Sequence, residues 1–220
     1  MLAGKGDNDP WTLARGARQA VLLAVIMFAS LGLYLAVLKW RGPAGGDRIT
    51  YVEAWDELFP FRPGWVWAYL IPYLIGPAVV GMLSRDTFAW YIRRGLVLVG
   101  ITLAIFIVYP NQTLPRVQTD LGDGLTAQLY RNMVAIDDPP ANAAPSLHVS
   151  LTCLLALALV RDFPRWWAPS FGAAAVVWLA TLYTRQHHVI DVVTGALLAC
   201  VVALPGPGRR GPGRSPSAPR

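Results

Sequence analysis

The chain holds three histidines in 220 residues, and they fall in two clusters, "PSLH" at 145–148 and "RQHHVID" at 185–191. His187 and Asp191 are four residues apart, so on a helix they share a face within hydrogen-bonding reach. A carboxylate on one ring nitrogen sets the tautomer and leaves the other nitrogen with a lone pair. This is the orienting logic of a catalytic triad, applied to a histidine that can itself be the nucleophile. Arg185 stands just before the pair, and its planar fork suits a phosphate or carboxylate. Pro145 and Ser146 open a helix whose first backbone N–H groups have no intrahelical acceptor, a natural anion site. His148 falls in the first turn of that helix, beside whatever anion binds there.

Each cluster leads into an apolar run, where a charged side chain costs about 2.5–3.5 kcal/mol at the bilayer centre. The composition is that of a membrane protein. It is 55% hydrophobic and 15% charged, against about 25% charged in an average soluble domain. Nine tryptophans and eight tyrosines suit two membrane–water interfaces, where amphipathic rings collect. The net charge of +6 is scattered between apolar runs, which argues for topology signals and against a nucleic-acid partner.

The expected fold is an all-α integral membrane bundle of six transmembrane helices, at about 20–38, 64–84, 88–109, 146–160, 166–183 and 187–204. The first run is nineteen residues without a charge. That exceeds the 7–15-residue apolar core of a signal peptide, and no small-x-small cleavage site follows, so a retained helix is expected. The uncharged parts of the fourth and sixth spans, fourteen and thirteen residues, rise only about 20 Å. Their polar front ends must therefore lie at or just below one membrane surface. Twelve Lys and Arg fall on one side of this arrangement and seven on the other. The positive-inside rule then puts both termini in the cytoplasm and the histidine-bearing front ends outward. Residues 1–19 read as a cytoplasmic segment, 20–204 as the membrane catalytic domain, and 205–220 as a disordered basic tail whose arginines can touch anionic lipid. Cys153 and Cys200, inside apolar spans, read as free packed thiols.

Other residues carry two readings each. His188 is three residues from Asp191 and competes with His187 as its partner. Asp137 and Asp138 are a metal pair or a solvated pair of loop acids. Asn142 braces the loop that enters the site at "PSLH". Asp56, with Trp55, roofs a lipid head group or anchors an interfacial loop. A zinc site from His148, His187, His188 and Asp191 is awkward, because adjacent helical residues point about 100° apart. A non-catalytic lipid carrier using a His/Asp proton relay would spread its ionisable groups through the bilayer, whereas here they gather at one surface.

With these motifs in view, the chain resembles the type 2 phosphatidic acid phosphatase superfamily, which includes the vanadium haloperoxidases. Its motifs are K-x6-R-P, P-S-G-H and S-R-x5-H-x3-D. "PSLH" matches the second with Leu147 in the glycine position, and "HHVID" supplies H-x3-D about forty residues on. "YPNQTLPRV" at 109–117 is similar to the first motif through Arg116, with Tyr109 in the lysine position and Val117 in the proline position. Arg185 stands two residues before His187, where the third motif puts its arginine six before. "PSLH", the compact third motif and "EAWDELFPFRPGWVWAYL" at 53–70 look most like the inositol phosphorylceramide synthase and sphingomyelin synthase branch. The resemblance covers roughly residues 50–200.

The resemblance implies a lipid phosphatase or phosphotransferase in a bacterial plasma membrane, its site facing the periplasm or exterior, with hydrolysis favoured. A phospholipid head-group transferase is the alternative. His187 would attack phosphorus to form a phosphohistidine, Asp191 would hold its ring, and His148 would serve as general acid and then base. Arg116, Arg185 and Ser146 would bind the phosphate. Tyr109, Asn111 and Gln112 could add hydrogen bonds in place of the missing lysine. No cofactor is expected, since the arginines take the part that magnesium has in kinases. The expected partners are a lipid phosphate substrate and membrane lipids.

Overall fold

The computed structural model describes residues 11–45, 48–115 and 121–204. The first helix, α1 (Leu13–Arg41), starts where the Thr12 hydroxyl accepts the Arg15 N–H. A single turn, α2 (Glu53–Asp56), precedes α3 (Val66–Gly81), which carries Pro72 and Pro77. Ser84 caps α4 (Arg85–Val108) by accepting the Thr87 N–H. Then follow α5 (Leu125–Ile136), α6 (Leu147–Asp162), α7 (Trp167–Tyr183) and α8 (Val189–Ala203). Among the described residues there are eight helices and no strand.

Each of the six apolar runs forms a helix. Three helical stretches, Leu13–Gly45, Pro63–Gly81 and Arg85–Val108, are long and apolar enough to cross a membrane. The remaining helices α6, α7 and α8 have 16, 17 and 15 residues. Shortness is expected of α6 and α8, whose front ends are polar, and α7 falls within one residue of the expected 166–183. The sequence reading left 110–145 without a helix, and here it needs correction: α5 occupies 12 of those residues. Its apolar face is narrow. Tyr130 and Val134 pack on Val66 of α3, while Thr126, Gln128, Arg131 and Asn132 interrupt the run, so no long apolar stretch marks it. The tail beyond residue 204 and Arg116 lie outside the described residues.

The helices run up and down between two ends. At one end, Trp11 Nε1 at the start of α1 donates to Gly81 O at the end of α3 (3.0 Å). There too, Asp162 at the end of α6 accepts from Ser84 N (2.7 Å) and Thr87 Oγ1 (2.6 Å) at the start of α4. At the other end, Arg41 Nε donates to Ile107 O, joining the ends of α1 and α4, and Arg62 N donates to Tyr183 O, joining the start of α3 to the end of α7. The starts of α6 and α8 meet at this second end, so all three histidines lie there.

Helix α6 is central, packed between α4, α7 and α8. Leu154, Cys153 and Ala158 of α6 share one core with Leu98 of α4 and Ala199 and Val202 of α8. Two glycines allow backbone to touch backbone. A Cβ on Gly81 would stand 2.7 Å from Gly16 O, where α3 crosses α1. One on Gly195 would stand 2.7 Å from Ser146 O and 3.2 Å from Ser146 N, where α8 crosses the start of α6. The second crossing is reinforced by Ser146 N donating to Asp191 O (3.1 Å) and Ser150 Oγ donating to Gly195 O (2.9 Å).

Gly195→Ala therefore overpacks this crossing and is expected to cost about 1–3 kcal/mol, read as a lower melting temperature in detergent. Gly172→Ala, whose Cβ would meet nothing within 4 Å, should leave it unmoved.

Candidate active site

Two loops deliver the histidines. The first, 137–146, is built around Asn111. Its Oδ1 accepts from Ala143 N (2.9 Å) and Ala144 N (2.8 Å), and its Nδ2 donates to Ala144 O (2.8 Å). The loop ends at Ser146, whose hydroxyl accepts the Val149 N–H and so caps α6. His148 then falls in the first turn. Its Nδ1 lies 3.3 Å from Tyr69 Oη, its ring tilts against Tyr69 with centroids 4.2 Å apart, and Tyr73 meets it edge-on. Its Nε2 is buried with no hydrogen-bond partner in the protein.

The second loop turns from α7 into α8. Gln186 N and His187 N both donate to Thr181 O, which closes the end of α7 and lifts the next residues across to α8. Arg185 takes a left-handed conformation (φ 54°) to make the turn. Asp191, fully buried, then does two things with one oxygen. Its Oδ2 accepts the His188 N–H (2.8 Å) and lies 3.3 Å from His187 Nδ1. The carboxylate both caps its own helix and holds the ring of His187.

The rings of His148 and His187 come within 6.3 Å of each other, centroid to centroid, at 57°. Hydrogen-bond reach from each ring is about 2.6–3.2 Å, so one phosphoryl group spans the gap. With Nδ1 of His187 facing Asp191, Nε2 is the nitrogen left to act as nucleophile.

His188 points elsewhere. Its Nε2 accepts from Leu114 N (3.4 Å), its Nδ1 lies 3.5 Å from Asp56 Oδ1, and Tyr51 meets its ring edge-on at 5.3 Å. Asp56 is buried and also accepts from Val52 N (2.6 Å) and Val189 N (2.8 Å). This carboxylate ties α2 to the first N–H of α8, where negative charge is favoured. Among the described residues no group of three or more His, Cys, Asp or Glu is placed around one point.

Of the residues expected to bind phosphate, Ser146 is buried and its hydroxyl is engaged in the cap. The Arg185 guanidinium lies 3.8 Å from Glu57 Oε1. Glu57 also accepts from the Tyr51 hydroxyl (2.5 Å), and that hydrogen bond pushes the Tyr51 pKa up to about 12. Tyr109 is 56% exposed under the Arg48 guanidinium, 4.8 Å from its carbon, and does not line the cavity described below. Gln112 spends its amide on Gly42 O (3.0 Å). Asn111 and Gln112 thus build the loop scaffold. Asn142 is buried, with φ 57°; the bracing expected of it is done by the side chain of Asn111.

A cavity of about 480 Å³ opens onto His148 and His187. Its walls are apolar, drawn from α1, α3, α4 and α5, including Leu31, Tyr73, Val99 and Met133. Along α1 it reaches from Leu23 to Tyr34 and beyond, about 16 Å at 1.5 Å per residue. That is close to half of the ~30 Å hydrocarbon thickness. Tyr69 and Tyr73, which pack on His148, were not singled out from the sequence. They sit in an apolar run, where tyrosines also serve as interface anchors, and only their four-residue spacing marks a shared face.

A model of the PAP2 superfamily matches residues 64–204 of the chain. No curated protein and no solved structure matches it.

Asn111→Ala removes three hydrogen bonds within the loop before α6 and leaves the N–H groups of Ala143 and Ala144 short of an acceptor. An unsatisfied buried group costs about 1–3 kcal/mol. The expected outcome is a fall of at least ~3 kcal/mol in unfolding free energy, measured by denaturation in detergent.

Proposed function

Because the chain belongs to the PAP2 superfamily, whose members are generally phosphatases, we propose that it is a membrane enzyme that cleaves a phosphate ester or anhydride of a lipid. The observation that carries this reading is the approach of His148 and His187 to 6.3 Å at the mouth of an apolar cavity. An anionic head and an apolar chain need both features together.

In the first step His187 Nε2 attacks phosphorus in line. An N–P bond forms, the P–O bond to the lipid breaks, and the leaving oxygen takes a proton from His148. Asp191 stabilises the imidazolium and keeps Nδ1 protonated. Charge on the equatorial oxygens is met by Arg185 and Arg116 and by the N–H groups at the start of α6 beside Ser146. For Arg185 this means exchanging Glu57 for phosphate, a short move for a long side chain already next to the third motif. In the second step an acceptor hydroxyl attacks phosphorus, the N–P bond breaks, and His148 takes the acceptor's proton. The arginines supply the positive charge that a divalent cation gives in kinases, so the reaction runs without metal.

The twelve-to-seven division of Lys and Arg along the sequence supports a site facing outward across a bacterial plasma membrane. The cavity walls support entry of substrate sideways from the bilayer. "PSLH" and the compact third motif favour kinship with the inositol phosphorylceramide and sphingomyelin synthase-like branch, in which the acceptor is an alcohol.

Protein purified in detergent and given phosphatidic acid, a polyprenyl diphosphate, or ceramide with a phospholipid donor should turn over at least one of them. His187→Ala should abolish turnover, and His148→Ala should lower it by about 10²–10⁴-fold. Unchanged rates in both variants would remove this mechanism. EDTA should leave the wild-type rate unaltered, and loss of activity restored by a divalent ion would replace the arginine-only reading with a metal-assisted one.

A further inference from the structure

Asn142 poses a problem that the catalytic histidines do not solve. It is 1% exposed, yet neither its Oδ1 nor its Nδ2 has a hydrogen-bond partner in the protein. A buried polar group left so is destabilising. Its backbone is left-handed at φ 57°, a conformation that glycine adopts freely and asparagine tolerates. Glycine would serve this turn equally well and bury no amide. The loop is already braced by Asn111, and the Asn142 N–H is satisfied by Asn111 O (2.8 Å). The amide therefore has no evident work in the fold. It lines the same cavity as His148 and His187.

The chemistry of the group points to its ligand. A carboxamide offers a donor and an acceptor side by side. A phosphoryl oxygen only accepts, so it would satisfy Nδ2 and set Oδ1 against negative charge. A hydroxyl accepts from Nδ2 and carries one proton, which it can give to Oδ1 at rest and to His148 Nε2 as it attacks. His148, six residues along the same segment, offers a buried and unpartnered Nε2 to take a proton.

We propose that Asn142 binds the hydroxyl group that receives the phosphoryl from His187, and that this site admits an alcohol in competition with water. The inference rests on the phosphohistidine reading given above. In the step concerned, the acceptor oxygen forms its bond to phosphorus and the bond from phosphorus to His187 Nε2 breaks. The electron pair returns to that ring, and the acceptor proton passes to His148 Nε2. Asn142 exchanges no proton. It holds the acceptor oxygen in line and so biases partition between transfer and hydrolysis.

The test uses the full chain in detergent with phosphatidic acid as donor and glycerol as the probe alcohol. It measures glycerol phosphate against inorganic phosphate, together with acid-labile phosphoenzyme by rapid quench. In the wild type the ratio of transfer to hydrolysis should rise with glycerol. Asn142→Gly suits the left-handed backbone and removes the amide; it should lower that ratio about tenfold while phosphoenzyme forms at the wild-type rate. Asn142→Asp keeps the shape and an acceptor but loses the N–H, and should lower the ratio as well, which covers the case of a glycine variant that does not fold. A ratio unmoved in a folded variant, or no glycerol phosphate from the wild type, overturns the acceptor site and leaves the phosphohistidine in place. Loss of phosphoenzyme equal to the loss of transfer would assign Asn142 to the phosphate instead. No phosphoenzyme from the wild type with any of the three donors named above removes the underlying reading and the acceptor site with it.

Discussion

The distance between the two histidines is set by backbone contact between the starts of α6 and α8. Ser146 N donates to Asp191 O, Ser150 Oγ donates to Gly195 O, and Gly195 has no room for a Cβ against Ser146. Side chains flex, but these atoms do not, because each belongs to a helix whose hydrogen-bond ladder would have to break. In the mechanism proposed above one imidazole takes the phosphoryl group while the other moves a proton. Such a reaction loses rate steeply when the reacting atoms drift, since misplacement by about 1 Å costs on the order of 10²-fold. A bare backbone crossing is the stiffest way to hold two helices in register. The rest of the site is arranged around it.

Asp191 links the start of a helix to the ring of a histidine. A helix start leaves N–H groups without acceptors, and a carboxylate three residues in can reach back to the cap. Here the oxygen that accepts from His188 N is also the one beside His187 Nδ1. The ring of His187 is thereby tied to the beginning of α8, not merely to a flexible side chain. His188 then makes sense as a neighbour. It turns away to Asp56, which also takes the first N–H of α8, so the helix start is held from the bundle side and from the outer loop at once. Two adjacent histidines divide the labour: His187 faces the cavity, and His188 holds the segment that carries Asp56.

How much of this was legible in the sequence follows from how far apart the contacting residues lie. The His187–Asp191 pair was readable because a helix places i and i+4 together whatever surrounds it. The polar front ends of α6 and α8 were readable from helix length alone. By contrast, Asn111 reaches Ala143 and Ala144 across 32 and 33 positions, Tyr69 reaches His148 across 79, and Asp56 reaches Val189 across 133. No periodicity encodes such pairs. That is why the sequence offers Asn111 as a source of hydrogen bonds to phosphate where the structure makes it scaffold, and Asn142 as a brace where its amide meets no partner in the protein. Helix α5 escaped for a different reason. Twelve residues with a three-residue buried face give too weak an apolar signal beside spans of twenty.

The two left-handed non-glycine residues, Asn142 and Arg185, stand in the two loops that deliver the histidines. Such backbone costs of order 1–3 kcal/mol each and persists only where the surroundings over-determine it. Around Asn142 the surroundings are Asn111 and the cap of α6. Around Arg185 they are the end of α7, with Gln186 N and His187 N both drawn onto Thr181 O. A chain free to relax would extend these turns and move each histidine outward. Its helices forbid that, because α6 and α8 already touch at Gly195. The strain is thus confined to two loop residues whose side chains neither helix needs, the Asn142 amide in the cavity wall and the Arg185 guanidinium beside Glu57. In the mechanism proposed above, these are two of the groups that meet the substrate and the acceptor.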